Sequence, residues 1–194
     1  MMSSAKCTGV SFVDSFPLPV CHNKRISSHK TFKGVAQRGK TSMGWFYGFK
    51  IHVCINHHGE IISFYLTPGN VHDADEIVIK SLTKKLFGKL FGDKGYLGKK
   101  LFDMLWKHGV KIITNVKKNM KKKLMSSKEK FLLKKRAVVK SVGNILKNNL
   151  SVNHSRHRSV AGFFVNLCSG LLAYAFKEKK PSIRVSTELI DMKI

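Results

Sequence analysis

The chain has 194 residues, of which 43% are hydrophobic; this is enough to bury the core of one domain and excludes a chain disordered by composition. It carries 36 Lys and Arg residues against 11 Asp and Glu, a formal net charge of +25. Such an excess favours a nucleic acid as partner, through counterion release. A basic surface that only confers solubility is the alternative, and a membrane surface is disfavoured because the charges are scattered along the chain.

The first half of the chain predicts an antiparallel opening. Residues 8–20 (TGVSFVDSFPLPV) are typical of a strand with Asp14 in its middle, which the two prolines are expected to end. Residues 21–44 are expected to form a long basic loop, and residues 45–70 a β-hairpin. Residues 73–86 (DADEIVIKSLTKKL) predict a helix with Asp73 as its N-cap.

The second half predicts alternating elements. They are a strand and glycine turn carrying Asp93 at 89–98, a helix at 99–109, a strand at 110–116, a loop or frayed helix start at 117–130, and helices at 134–150 and 160–176. The order β, β, β, α, β, α, β, α, α predicts one α/β domain, a mixed sheet flanked by helices with a core at about 9–176. Met104 and Trp106 are expected to lie in this core.

The helix at 160–176 (VAGFFVNLCSGLLAYAF) is apolar but short for a membrane span, and it contains Asn166 and Ser169. We therefore expect a core helix with Ser159 as its N-cap and no membrane partner. The first residues lack the apolar stretch of a signal peptide, which predicts a cytoplasmic protein with free thiols. The CINHH segment (54–58) lacks a second ligand pair, so zinc is disfavoured.

The helix at 134–150 (KKRAVVKSVGNILKNNL) has two contrasting sides. Its apolar stripe comprises Val138, Val142, Ile145 and Leu146, and the cations opposite are Arg136, Lys140 and Lys147. No acidic residue balances them.

Two acids stand out in so basic a chain. Asp14 lies in a half-buried strand and Asp93 at a strand end, where a lone carboxylate is unfavourable unless it is paired. Spacing alone leaves two alternatives open, an ion pair with a basic side chain or a bound metal ion.

Five strings in order resemble the DDE transposases of bacterial insertion sequences: VDSFPLPVCHNKR, KGVAQRGKTSMGWFYGFKIHV, TPGNVHDAD, LFGDKGYLGKKLF and NHSRHRSVAGFFVNLCSGLLAY. The resemblance implies a ribonuclease H-like fold with Asp14 on the first strand and Asp93 after the fourth. It also implies that both carboxylates bind Mg²⁺ or Mn²⁺ for DNA strand cleavage and strand transfer at element ends, by a homo-oligomer on DNA.

The third acid departs from the family pattern. The family's last catalytic helix carries Tyr, two residues, Arg, three residues, Glu, six residues, Lys; here Arg136 and Lys147 match, while Lys140 occupies the Glu position and Leu133 the Tyr position. An ammonium group at about 4 Å repels a divalent ion by roughly 8 kcal/mol at an effective dielectric near 20. We therefore expect Lys140 to bridge the two aspartates itself, and cleavage to be impaired.

Further DNA contacts are expected at Arg136 and Lys147, at Lys50, and at Arg156 and Arg158. Lys50 ends the run RGKTSMGWFYGFK (38–50), whose aromatics either clamp DNA or pack in the core, and the two arginines lie in NHSRHRS (153–159), which alternatively caps a helix. The family's N-terminal DNA-binding region is expected to be absent, because few residues precede the first strand. Three functions remain: an active transposase, an inactive DNA-binding remnant, or a basic RNA-binding protein.

Overall fold

A computed structural model describes residues 5–115, 124–154 and 156–184, and the prediction for 117–130 lies partly outside them. The strands within these residues are β1 Val10–Cys21, β2 Gln37–Thr41, β3 Gly44–Asn56, β4 Ile61–Pro68, β5 Gly88–Gly92 and β6 Val110–Thr114. The helices are α1 Glu76–Thr83, α2 Lys99–Lys107, α3 Ser127–Lys135, α4 Ala137–Asn144 and α5 Val160–Phe176.

The strands form one mixed sheet in the order β2-β3-β1-β5-β6. β3 is antiparallel to β1, while β5 is parallel to both β1 and β6. β2 and β4 pair with successive halves of β3 along the same edge. The predicted mixed sheet and the predicted hairpin at 45–70 are confirmed.

Helices cover both faces of the sheet, because each face presents its own set of apolar side chains. α1 and α2 cover one face with Val78, Ile79, Leu82, Leu101 and Leu105. α3, α4 and α5 cover the other with a larger cluster that includes Leu132, Val142 and Phe163. Adjacent residues of β1 alternate between the faces, so Phe12 and Phe16 join one cluster and Val13 the other.

The prediction that prolines end the first strand is wrong, since β1 continues through Pro17 and Pro19 to Cys21. Pro19 lies opposite Gly48, whose carbonyl accepts a hydrogen bond from Gly69 on the far side of β3. Pro19, and Pro17 two residues earlier, therefore occupy positions where the backbone nitrogen faces away from β3. β5 pairs with β1 only at Val10–Phe12, so the prolines remove no ladder hydrogen bond.

Two other predictions in the first half are wrong. The expected loop at 21–44 contains β2, whose Gly39 lies so close to the Phe46 ring that a Cβ would be 2.7 Å from it. The N-cap of α1 is Asp75, whose carboxylate accepts hydrogen bonds from the amides of Ile77 and Val78, and not Asp73. Asp73 has a different role, described below.

The predicted helix at 134–150 is longer and interrupted. It starts at Ser127 with a capping box between Ser126 and Glu129, a signal legible in the sequence SSKE. A tight turn at Arg136 separates α3 from α4, and residues Ile145–Asn149 form a π-helical turn. The predicted apolar stripe is confirmed, with Val138, Val142 and Leu146 buried.

α5 has the predicted Ser159 cap, which accepts a hydrogen bond from the amide of Gly162. It is only partly a core helix, because Phe163, Leu167 and Leu171 are buried while Val165 is exposed. Among the described helices none is both long and apolar enough to cross a bilayer. The expectation for Trp106 is wrong, because this side chain is half exposed on α2.

Candidate functional site

The candidate site lies where β1 and β5 separate. The two parallel strands pair only from Val10 to Phe12, in the register Phe12 opposite Phe91. Continued by two residues, this register places Asp14 beside Asp93, which directly follows β5. Parallel strands that separate at their carboxyl ends leave a crevice for a ligand. This register explains why Asp14 and Asp93 lie in one site, as predicted. The strand before Asp93 is the fifth and not the fourth, because β2 was not predicted.

Asp14 projects from β1 on the face covered by α4. On that face it lies between Phe12 and Phe16. Its carboxylate accepts a hydrogen bond from the amide of Ser15 at 3.0 Å. Burial raises the pKa of Asp14, and this effect outweighs the Ser15 amide and the positive charges of Arg136 and Lys140, which act to lower it. A carboxyl group in this state gains from any cation that enters the cleft.

Asp93 is bound by its own turn and by Arg136, the residue that precedes α4. Its Oδ1 accepts a hydrogen bond from the Lys94 amide at 2.7 Å and lies 3.5 Å from Nη1 of Arg136. The expectation that Lys140 bridges the two aspartates is wrong, since Lys140 makes no ion pair within 4.0 Å among the described residues. The turn between α3 and α4 aims Arg136 at Asp93 instead.

α4 and the π-helical turn that follows it bring Lys140 and Lys147 to the same cleft. Gly143 permits this close packing, because a Cβ there would lie only 3.0 Å from the Phe16 ring of β1. Lys147 is half buried with its ammonium 5.0 Å above the centre of that ring, and burial lowers its pKa while the charge of Asp14 opposes the shift. Lys140, about two helical turns before Lys147, is exposed to the cleft.

Asp73 is a third carboxylate in the cleft, and sequence reasoning missed it. Its Oδ1 accepts hydrogen bonds from Ser15 at 2.7 Å and from the Lys50 ammonium at 3.0 Å. Burial raises the pKa of Asp73, but these two hydrogen bonds and the Lys50 charge together bring it below its usual value. Lys50 also donates to the carbonyl of Val71 at 2.8 Å. Asp73 is therefore held as an ion pair on the α1 side of the sheet.

These side chains surround a cleft of about 790 Å³. Its lining residues are Asp14, Ser15, Phe16, Pro17, Lys40, Thr41, Ser42, Met43, Lys50, Asp73, Asp93, Gly95, Val139, Lys140, Gly143, Asn144 and Lys147. Five sequence-predicted site residues thus meet here, and Arg136 reaches Asp93. Arg156 and Arg158 are exposed before α5 and do not line the cleft.

The expected Mg²⁺ or Mn²⁺ ion does not fit this set of donors. A hard divalent cation needs several oxygen ligands, usually from carboxylates. Among the described residues, no group of three or more His, Cys, Asp or Glu side chains is placed to hold a metal ion. Asp73 is paired with Lys50, Asp93 with Arg136, and the position where a third acid is expected carries an ammonium group.

Comparison with known proteins agrees with this architecture. A family model described as a transposase DDE domain matches residues 4–160. The chain is similar to the piggyBac transposase of a synaptic complex with hairpin DNA, with a TM-score of 0.55 and 12% identity over 86% of this chain and 45% of that chain. It is also similar to the catalytic core domain of BIV integrase, with a TM-score of 0.44 and 12% identity over 84% of this chain and 82% of that chain.

No protein with a curated description matches the sequence. The chain spans less than half of the piggyBac transposase chain. At this identity the likeness concerns the fold, and the predicted ribonuclease H-like α/β class is confirmed.

Proposed function

The chain belongs to the family of transposase DDE domains, and we propose that it binds DNA in the cleft around Asp14 and Asp93 without cleaving it. The setting is DNA transposition, in which the family acts. The proposal separates two properties, attraction for a DNA backbone and metal-dependent hydrolysis of it.

The main support for the proposal is the position of Lys140 in the cleft. It lines the cleft on the helix that faces Asp14, at the position where the family pattern has its third acid. Arg136 already neutralises Asp93 at 3.5 Å. A divalent ion entering here would meet two carboxylates and nearby cations, so its net attraction is reduced by the repulsion of each ammonium and guanidinium group.

The same charges favour a phosphate backbone. Lys40, Lys140 and Lys147 line one cleft in a chain of net charge +25. Each ammonium that replaces a counterion of DNA contributes to binding without sequence preference, and each such contact raises the salt dependence of the binding constant. Lys50 forms an ion pair with Asp73, so we expect it to contribute less to DNA binding than the sequence analysis predicts.

Two measurements test the proposal. Binding of a DNA duplex is measured as a function of salt for the native chain and for Lys140→Gln and Lys147→Gln, each of which should reduce the salt slope by about one. Lys85 is exposed outside the cleft, so Lys85→Gln is the control and should reduce the salt slope less than the two cleft variants. Nicking of supercoiled plasmid is then followed with Mg²⁺ or Mn²⁺, and the native chain should show none.

The juxtaposition of Asp14 and Asp93 favours a second candidate, an active metal-dependent transposase. Nicking that requires a divalent ion and disappears in Asp14→Asn would establish that activity and overturn our proposal. Tighter binding of RNA than of DNA at matched salt would instead favour the basic RNA-binding protein. Equal salt slopes for the cleft variants and the Lys85 control would show that DNA does not enter the cleft.

A further inference from the structure

The turn between β2 and β3 forms one wall of the cleft and exposes two large apolar side chains. Met43 at the tip is 97% exposed and lines the cleft with Lys40 and Thr41. Trp45, two residues on, is 56% exposed. Single exposed apolar residues are common on protein surfaces, but two on one turn beside a cationic cleft mark a contact surface.

The turn is built to hold these side chains out. The Thr41 hydroxyl donates to the carbonyl of Gly44 at 3.2 Å and accepts from the Met43 amide at 3.2 Å. Gly44 has a φ of 120°, a backbone conformation that favours glycine. Asn23 ties the base of the turn to the end of β1, because its side-chain amide donates to the Trp45 carbonyl at 2.7 Å.

The two faces of this hairpin differ. One face packs inward through Phe46, against which Gly39 lies. The outward face carries Trp45 directly opposite Lys40, with the ammonium 5.4 Å from the centre of the indole ring. Of the aromatic residues in this segment, Phe46 and Phe49 are core and Trp45 alone is largely exposed. Core packing is thus confirmed for Phe46 and Phe49, and the DNA clamp stays a prediction for Trp45.

Trp45 beside the Lys40 ammonium, with the Met43 side chain at the tip of the turn, forms a surface that can bind a nucleobase. Aromatic rings stack on unpaired bases while lysines contact the phosphates beside them. Methionine is among the side chains that wedge between base pairs and unstack them. Fully paired duplex offers its bases only at the ends, so such a tip discriminates for distorted DNA.

We propose that the β2–β3 turn is a base-stacking wedge, in which Met43 opens a distorted base step and Trp45 stacks on the unpaired base. This inference rests on the proposed DNA binding in the cleft but is independent of cleavage. The ligand class is DNA that contains an unpaired base near the bound phosphates.

The chain's two tryptophans permit a direct test. Trp106 is 49% exposed on α2, outside the cleft, and serves as the matched control. In Trp106→Phe, the emission of Trp45 should be quenched by a duplex with one unpaired base more than by the fully paired duplex. Trp45→Ala should weaken binding of the unpaired-base duplex about tenfold and leave the paired duplex nearly unchanged, while Trp106→Ala changes neither.

Met43→Ala should give the same selective loss, which guards against a local effect of the tryptophan variant. Equal affinities of Trp45→Ala and Trp106→Ala for the unpaired-base duplex would overturn the wedge while leaving DNA binding in the cleft intact. A uniform loss by Trp45→Ala on both probes would also overturn it. Loss of all DNA binding in the native chain would refute the proposed function together with the wedge.

Discussion

Replacing Lys140 by Glu should create a divalent-ion site at Asp14 and Asp93, where the described residues form none. The substitution removes a positive charge from the cleft and adds a carboxylate beside Asp14 and Asp93. Without metal the change should lower the free energy of unfolding, because it replaces an ammonium group whose charge favours the ionised, buried Asp14 by a carboxylate that repels it.

The effect of metal follows from linkage. At an ion concentration about a hundredfold above the dissociation constant, binding to the folded state alone adds roughly 2.7 kcal/mol to the free energy of unfolding. For a chain of this size, each kcal/mol raises the melting temperature by about 2 to 4 °C. We therefore expect Lys140→Glu to melt roughly 5 to 11 °C higher with saturating Mn²⁺ than without it.

Thermal melts followed by circular dichroism, with and without Mn²⁺ or Mg²⁺, provide the assay. Lys140→Gln is the matched control, because it removes the charge without supplying a ligand and should show little shift. Adding Asp14→Asn to Lys140→Glu should abolish the shift. The reasoning is refuted if the native chain is stabilised by the ion as much as Lys140→Glu, or if Lys140→Glu responds no more than Lys140→Gln.

Three further predictions concern stability. Glu129→Gln should lower the free energy of unfolding by about 3 to 5 kcal/mol in urea melts, because a buried carboxylate with lysine partners at 2.9 and 3.2 Å loses its charge. Asp14→Asn should raise the melting temperature at neutral pH, because burial raises the pKa of Asp14 in the folded state. The native chain therefore loses stability as the pH rises from the pKa of the unfolded state towards the higher pKa of the folded state. Below about pH 4 the melting temperatures of the two proteins should converge. Tyr174→Phe should cost about 1 to 2 kcal/mol, since it removes a buried hydrogen bond of 2.7 Å to the Gly59 carbonyl.

Local sequence patterns were sufficient to identify Asp14 and Asp93 as candidate site residues. Asp14 was recognisable as a charge inside a half-buried strand, and Asp93 as a charge at a strand end between Gly92 and Lys94. Both signals are readable within a few residues, because the strand period places the carboxylate on a known face. Their proximity followed from the family resemblance, and the β1–β5 register accounts for it.

Asp73 could not be assigned in the same way. It competes with Asp75 for the helix cap, and sequence alone does not decide between two acids so close together. The contacts that settle its role come from Lys50 and Ser15, which are 23 and 58 residues away. Likewise, β2 has no apolar alternation of its own and exists because it pairs with β3. Long-range pairing decides both cases.

The packing of α4 explains how the fold can be kept while the chemistry changes. The helix is held to the sheet by Val138, Val139, Val142 and the close contact of Gly143 with Phe16. Residue 140 is exposed to the cleft and does not belong to this buried cluster, although its charge acts on the Asp14 carboxyl. An ammonium can therefore replace a carboxylate there at little cost to folding, although the same exchange reverses the electrostatic preference of the cleft from a divalent cation towards phosphate. We therefore expect DNA binding and metal-dependent cleavage to be separable at this one position, and Lys140→Glu tests the second property while leaving the packing of α4 unchanged.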